Sequence, residues 1–178
     1  SISEKIVVIP NGSVDLRKSN VQQKNIVLTG GRLHEHKGIQ FAIKAFISAN
    51  NPNWQLYVIG DGPYKRSLEE LSKNSTNIIF TGWIDNKSNE FKDLLNSSKI
   101  FCLLSQFESQ GIAVVEAMSA ECAIICSDID ALTETVGRKT GILVKVLLLK
   151  TQRVMFPLDP APLEVFQKGV SPFKEGPS

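Results

Sequence analysis

The sequence predicts an α/β fold, a parallel sheet with helices on both faces, built as one compact domain. Three observations predict it. Apolar runs of strand length alternate with amphipathic stretches of helix length. The runs are apolar almost throughout, as strands covered on both faces are. The clusters of glycine and charge follow these runs, at the carboxyl ends of the strands, where such sheets bind ligands. Strand, helix, strand, repeated, makes the expected sheet Rossmann-like.

Each element has its own justification. Residues 26–29, Ile-Val-Leu-Thr, read as the first buried strand. Ile39, Ala42, Ile43 and Phe46 then recur at the i, i+3, i+4, i+7 spacing of one helical face. The second strand is residues 56–59, stopped by Gly60, and Leu68 and Leu71 mark the helix after it. Residues 77–80 form a third strand, and Phe91, Leu94 and Leu95 mark a third helix. The fourth strand, 100–104, leads directly into the loop holding Glu108. Residues 123–126 are the fifth strand and 141–144 the last, with no element predicted between them.

Composition narrows the function classes. A chain of 178 residues suits one domain, and 42% apolar residues are ordinary for a globular protein. The net charge of +2 gives no nucleic-acid footprint. No apolar run is long enough to span a bilayer, and no signal-peptide pattern opens the chain. Cys102, Cys122 and Cys126 form an odd set without Cys-x-x-Cys spacing, so they read as reduced core thiols of a cytosolic protein. The organisation expected is a linker over 1–20, a Rossmann-like domain over 21–144 and an irregular tail over 145–178. Five of the eight prolines fall in that tail. The chain opens on Ser1, in what reads as a linker, so a piece of a longer protein is expected.

Residues 105–128 carry the chemistry. Glu108 and Glu116 stand eight positions apart, and between them Gly111 leads into Ile112-Ala113-Val114-Val115, which reads as the first turn of a helix. A helix start presents unpaired N–H groups and a partial positive charge, and so holds a phosphate. Glu108 precedes that cradle and Glu116 lies about one turn inside the helix. Two carboxylates flanking an anion site suit a ligand with phosphate in the middle and hydroxyls at both ends, as in a nucleotide sugar. Arg32 and Lys37 follow the first strand; alone they would read as a solvated loop, but glycines flank them at a strand end. His34 and His36, two apart on that loop with no third ligand, read as exposed residues rather than a metal site. Gly60-Asp61-Gly62-Pro63 reads first as a turn that shapes the cleft floor.

The segment Glu108-x7-Glu116-Ala117-Met118 resembles the donor signature of glycosyltransferase family 4, retaining nucleotide-sugar transferases of GT-B fold. Four further segments match in the family's order: Val8-Ile9-Pro10-Asn11-Gly12 with Val14-Asp15; Gly31-Arg32-Leu33 with Lys37-Gly38; Gly60-Asp61-Gly62-Pro63; and Phe80-Thr81-Gly82-Trp83. Together they span roughly residues 7–144. The resemblance implies the C-terminal, donor-binding half of a GT-B enzyme of glycan biosynthesis, inactive alone. It implies Arg32 and Lys37 on the leaving diphosphate, Glu108 on the donor sugar and Glu116 on the ribose. Gly31, Ser109, Gly111, Ile112 and Ala113 would line the donor site, with Ile84 at the nucleobase. No metal or other cofactor is implied beyond the donor itself. The implied partners are a nucleotide-sugar donor and a glycan or lipid-linked acceptor held by a missing N-terminal domain, in the cytoplasm or at the membrane's inner face.

The chain departs from the pattern in two places. Ser109-Gln110 replaces a common Gly-Phe, which leaves donor choice open. Glu121-Cys122-Ala123 replaces Gly-x-Pro after the signature helix, so a residue that adopts left-handed backbone only at some cost stands at the helix end. A non-catalytic nucleotide-binding relic, and a GT-B epimerase or hydrolase, are the alternative readings.

Overall fold

A computed structural model describes residues 7 and 9–146; expectations for the tail beyond Val146 lie outside the described residues. The elements run β1 (Lys24–Gly30), α1 (Ile39–Ala49), β2 (Gln55–Ile59), α2 (Lys65–Ser72), β3 (Ile78–Gly82), α3 (Asn89–Ser97), β4 (Ser98–Leu103), α4 (Ile112–Ser119), β5 (Ala123–Ser127), α5 (Asp130–Val136) and β6 (Ile142–Val144). A short 3-10 turn, Glu35–Lys37, precedes α1. The six strands form one sheet in the order β3-β2-β1-β4-β5-β6, and every pair is parallel. This is the α/β, Rossmann-like sheet that the sequence predicts.

Alternation along each strand feeds two cores. Val27, Leu56, Val58, Ile100 and Cys102 face α1 and α2, whose Ile43, Phe46 and Leu68 cover them. Leu28, Phe101, Leu103, Ile124 and Cys126 face α3, α4 and α5 through Leu95, Val114, Ala117 and Leu132. Burying each large side chain contributes about 1.5–3 kcal/mol, so helices on both faces are a requirement of these sequences. Burial pushes the thiols of Cys102, Cys122 and Cys126 up to about 12, which keeps them protonated as small core hydrophobes.

One helix escapes sequence reading. α5 is seven residues long, with Leu132 and Val136 its buried residues, too short a pattern to display a period. Residues 9–20 contain neither helix nor strand, yet they are docked. Leu16 is buried in the second core, and the Asn96 amide of α3 donates to the Leu16 carbonyl (2.8 Å) while accepting from the Lys18 N–H (2.7 Å).

The corner after α4 shows what replaced the expected glycine. Glu121 holds φ of 64°, a left-handed conformation. Its N–H donates to the Met118 carbonyl (3.1 Å) and the Cys122 N–H to the Ala117 carbonyl (3.0 Å), the paired bonds of a Schellman cap. The cap thus forms in full around a residue with a Cβ, and Arg17 pairs with the Glu121 carboxylate at 3.0 Å. Glu121→Gly should therefore stabilise the domain by about 0.5–1 kcal/mol, the relieved strain less the extra entropy of an unfolded glycine. A thermal melt of the two proteins checks this, and a lower midpoint for the variant would show that the contact with Arg17 outweighs the strain.

Candidate functional site

The strand order places the site. Successive strands step outward from β1 to β3, then the chain returns to the other side of β1 as β4, with Val27 opposite Ile100 and Leu28 opposite Phe101. At this switch point the loops leaving two adjacent strands diverge and open a crevice at their carboxyl ends. The two loops are 31–38, with Arg32 and Lys37, and 104–111, with Glu108 and Gly111. They are bonded across the crevice by the Gln106 N–H to the His36 carbonyl (2.8 Å). They also touch at Gly38, where φ is 69° and an added Cβ would lie 1.9 Å from the Leu104 carbonyl oxygen.

The crevice has two lobes. The first, of about 490 Å³, is lined by Gly31, Arg32, Lys37, Glu108, Ser109, Gly111, Ile112 and Ala113, beside His34 and His36. The second, of about 520 Å³, holds Ile84 and Glu116 with Trp83, Asn86 and Asp61. Gly31, Arg32 and Ala113 border both lobes. The structure thus brings all ten sequence-predicted site residues to one cleft and separates the two carboxylates, Glu108 in one lobe and Glu116 in the other. Each volume falls in the range of small-molecule sites.

α4 points its N-terminus at this junction. Gly111 caps it with φ of 78° and no side-chain hydrogen bond. A Cβ there would meet Leu132 Cδ2 at 2.4 Å, so a larger residue would have to displace that side chain as well as hold left-handed backbone. The first-turn N–H groups of Ile112 and Ala113 are left to an anionic ligand, which the helix dipole favours.

The charges are already partly paired. Lys37 Nζ lies 2.8 Å from Glu108 Oε1, and Ser105 Oγ donates to the same oxygen at 2.9 Å. Both charged side chains are mostly buried, so the carboxylate neutralises a cation that would otherwise be costly to desolvate. Arg32, by contrast, has no ion pair among the described residues. In the second lobe, half-burial raises the Glu116 carboxyl above its ordinary value, opposed by a 3.4 Å hydrogen bond from the Asn86 amide.

Sequence reading missed four features. Ser105 and Asn86 reach the two carboxylates from positions that carry no motif. Asn11 and Gln110 clasp each other: the Asn11 N–H and amide both donate to Gln110 Oε1 (2.9 and 2.8 Å), and the Gln110 amide donates to the Asn11 carbonyl (2.7 Å). The fourth corrects an expectation. His34 and His36 are not exposed; they are half-buried in a ring stack, His34 on His36 at 5.5 Å and His36 on Phe107 at 4.7 Å. The Phe107 ring, brought in by the other loop, supplies the packing that no local pattern shows. Among the described residues no group of three or more His, Cys, Asp or Glu side chains could hold a metal.

A parallel α/β sheet with an open helix end at its switch point is an architecture shared with GT-B glycosyltransferase structures. Residues 14–147 match the family of glycosyl transferases group 1, and the chain belongs to it. It is 28% identical over 126 residues to an uncharacterized glycosyltransferase of Haemophilus influenzae, a match covering 66% of this chain and 34% of that protein. The chain spans about a third of the length of the first curated relatives that it matches. Its fold is similar to part of the pneumococcal O-GlcNAc transferase GtfA, crystallised with UDP and GlcNAc (TM-score 0.75, 22% identity, 92% of this chain and 33% of that one). The C-terminal domain of the group 1 glycosyl transferase LpcC from Francisella tularensis superposes with a TM-score of 0.65 at 29% identity, covering 75% of this chain and 80% of that one.

Two outcomes follow from the charges. Glu108→Gln releases Lys37 and should tighten binding of inorganic pyrophosphate by up to about tenfold, whereas Lys37→Ala should weaken it. Calorimetry decides, and unchanged affinity in both variants would show that Lys37 does not face the anion. The second concerns Glu116. Its raised pKa means that the folded state binds this proton more tightly than the unfolded state, so stability falls as pH rises through the window from the unfolded value upward. Glu116→Gln removes the charge, so its stability relative to the parent should be greater at neutral pH than below about pH 4. Denaturant melts at the two pH values give the comparison, and an equal difference at both would show the carboxylate to be fully solvated.

Proposed function

We propose that this chain is the donor-binding domain of a retaining glycosyltransferase that moves a sugar from a nucleoside diphosphate to a hydroxyl acceptor. One observation carries the reading: Glu108 and Glu116 occupy separate lobes on either side of an open helix N-terminus, so that diphosphate at the helix end leaves hydroxyl-bearing groups facing a carboxylate at each side. Support also comes from membership of the group 1 family, and from relatives of this fold crystallised with UDP and GlcNAc and with UDP-glucose.

In this reading the sugar lies in the first lobe against Glu108 and the nucleoside in the second, its ribose hydroxyls donating to Glu116. Departure of the nucleoside diphosphate is assisted by Arg32, Lys37 and the N–H groups of Ile112 and Ala113, which are fixed before the reaction and need no reorganisation. Binding the diphosphate would draw Lys37 from Glu108, freeing that carboxylate for sugar hydroxyls. With two cations at the site, no divalent metal is required. A retaining path through the donor's own phosphate needs no general base. Transfer also needs an acceptor held against the anomeric carbon, a positioning term of several kcal/mol. We assign that task to a further, N-terminal domain, consistent with the third of its relatives' length that this chain spans. The chain alone would then bind donor without transferring sugar. No helix among the described residues is long and apolar enough to cross a membrane. A cytoplasmic enzyme meeting a glycan or lipid-linked acceptor at the membrane's inner face belongs to the same proposal.

The chain should bind UDP or GDP with unchanged affinity in the presence of EDTA. Glu116→Ala should weaken that binding by about 1.5–3 kcal/mol, the range for hydrogen bonds to a charged group, while leaving inorganic pyrophosphate nearly unaffected. Titration calorimetry measures each. Binding abolished by the chelator would overturn metal independence, and equal losses for both ligands would take Glu116 off the ribose.

A further inference from the structure

We infer that Trp83 is the stacking platform for the donor's base, so that the second lobe recognises a planar heteroaromatic ring and not the diphosphate alone. The inference rests on the nucleotide-donor reading and adds a residue and a chemistry to it. Trp83 borders the second lobe yet is 73% exposed, the largest apolar side chain left uncovered there. The chain's other indole, Trp54, is 5% exposed within the first core, with Lys99 Nζ 5.9 Å from its ring centre. Phe107, the other exposed large aromatic among the described residues, has its face covered by His36 at 4.7 Å; Trp83 has no ring partner among them.

The loop that presents Trp83 is held at both ends. Before it, the Gly82 carbonyl accepts the Gly60 N–H at 2.7 Å. After it, Asp85 accepts the N–H groups of Lys87 (3.0 Å, on the carboxylate) and Ser88 (2.9 Å, on the carbonyl), and Ser88 Oγ caps α3. The loop is therefore fixed at the lip of the cleft, and the indole it carries stands uncovered there. Ile59, Ile84 and Phe101 give the lobe apolar walls, while Asn86 and Glu116 supply its polar groups. An indole face beside apolar walls and a few hydrogen-bonding groups suits a flat base with ribose attached. Stacking is tolerant of base identity, because every base has a π-face.

The test uses the full 178-residue chain with UDP and inorganic pyrophosphate as probes. Trp83→Ala should bind UDP about 5- to 100-fold more weakly, the range for losing one base–aromatic stack, and bind pyrophosphate as the parent does. Trp83→Phe, which keeps a ring, should retain most of the UDP affinity. UDP should quench the parent's fluorescence and leave that of Trp83→Phe, whose remaining indole is buried, unchanged. Equal UDP affinity in parent and Trp83→Ala would overturn this inference and leave the proposed function standing. A parallel loss of pyrophosphate binding would also overturn it, by making Trp83 a shaping residue. A parent chain that binds pyrophosphate but not UDP would overturn the inference and the nucleotide-donor reading together.

Discussion

The pairing of β1 with β4 is the constraint on which the rest of this molecule depends. Because these neighbours in the sheet are separated by three α-helices and two strands in the chain, their following loops must part in opposite directions, and the cleft is what that parting leaves. The closeness of the loops is enforced rather than incidental: Gly38 sits so near the Leu104 carbonyl that no side chain fits between them. Through this contact a cation-bearing loop and a carboxylate-bearing loop, more than sixty residues apart, become the two walls of one site.

The electrostatics of the cleft follow from the same apposition. Lys37 and Glu108 meet as mostly buried partners, and Ser105 completes the set by donating to the shared oxygen. A buried pair of this kind adds little net stability, but it keeps either charge from being stranded. Arg32, without an ion pair among the described residues and on the rim of both lobes, keeps a positive potential that would favour an anion there. The second carboxylate, Glu116, has no cationic partner among the described residues and is destabilised by burial at the cleft wall. The site is therefore poised unevenly, neutralised at one end and anion-seeking in its middle.

The segment before β1 and the corner after α4 show how divergence from a common pattern is absorbed. Glu121 stands in left-handed backbone, and both Schellman bonds form regardless. Arg17, from the leading segment, pairs with its side chain, and Gln23 donates to its carbonyl at 3.2 Å. The same segment clasps Gln110, the residue immediately before the Gly111 cap of α4, through Asn11. What reads in sequence as a linker is thus anchored at α3, at the loop before α4 and at the corner after it, so that a displacement of this segment would be felt at the cleft.

Sequence alone determined the layers. Near-continuous apolar strands can only be buried on both faces, and the 3.6-residue spacing of Ile39, Ala42, Ile43 and Phe46 can only be a helix laid against them. It also determined the candidate chemistry, because a glycine opening a helix between two acids is a local arrangement written in consecutive residues. α5 was not legible, since seven residues with two buried positions make no period. Nor were Asn86 and the stack of Phe107 on His36, whose partners arrive from distant segments, nor the bond from Ser105 to Glu108, a loop contact three residues long that no regular period announces. Tertiary structure alone decided that the two acids occupy different lobes, that Lys37 is paired while Arg32 is free of a partner among the described residues, and that Trp83 stands uncovered at the rim. The reason is physical: backbone propensity and side-chain spacing act over a turn or two of chain, whereas charge pairing, burial and ring stacking depend on which strand ends the sheet order makes neighbours.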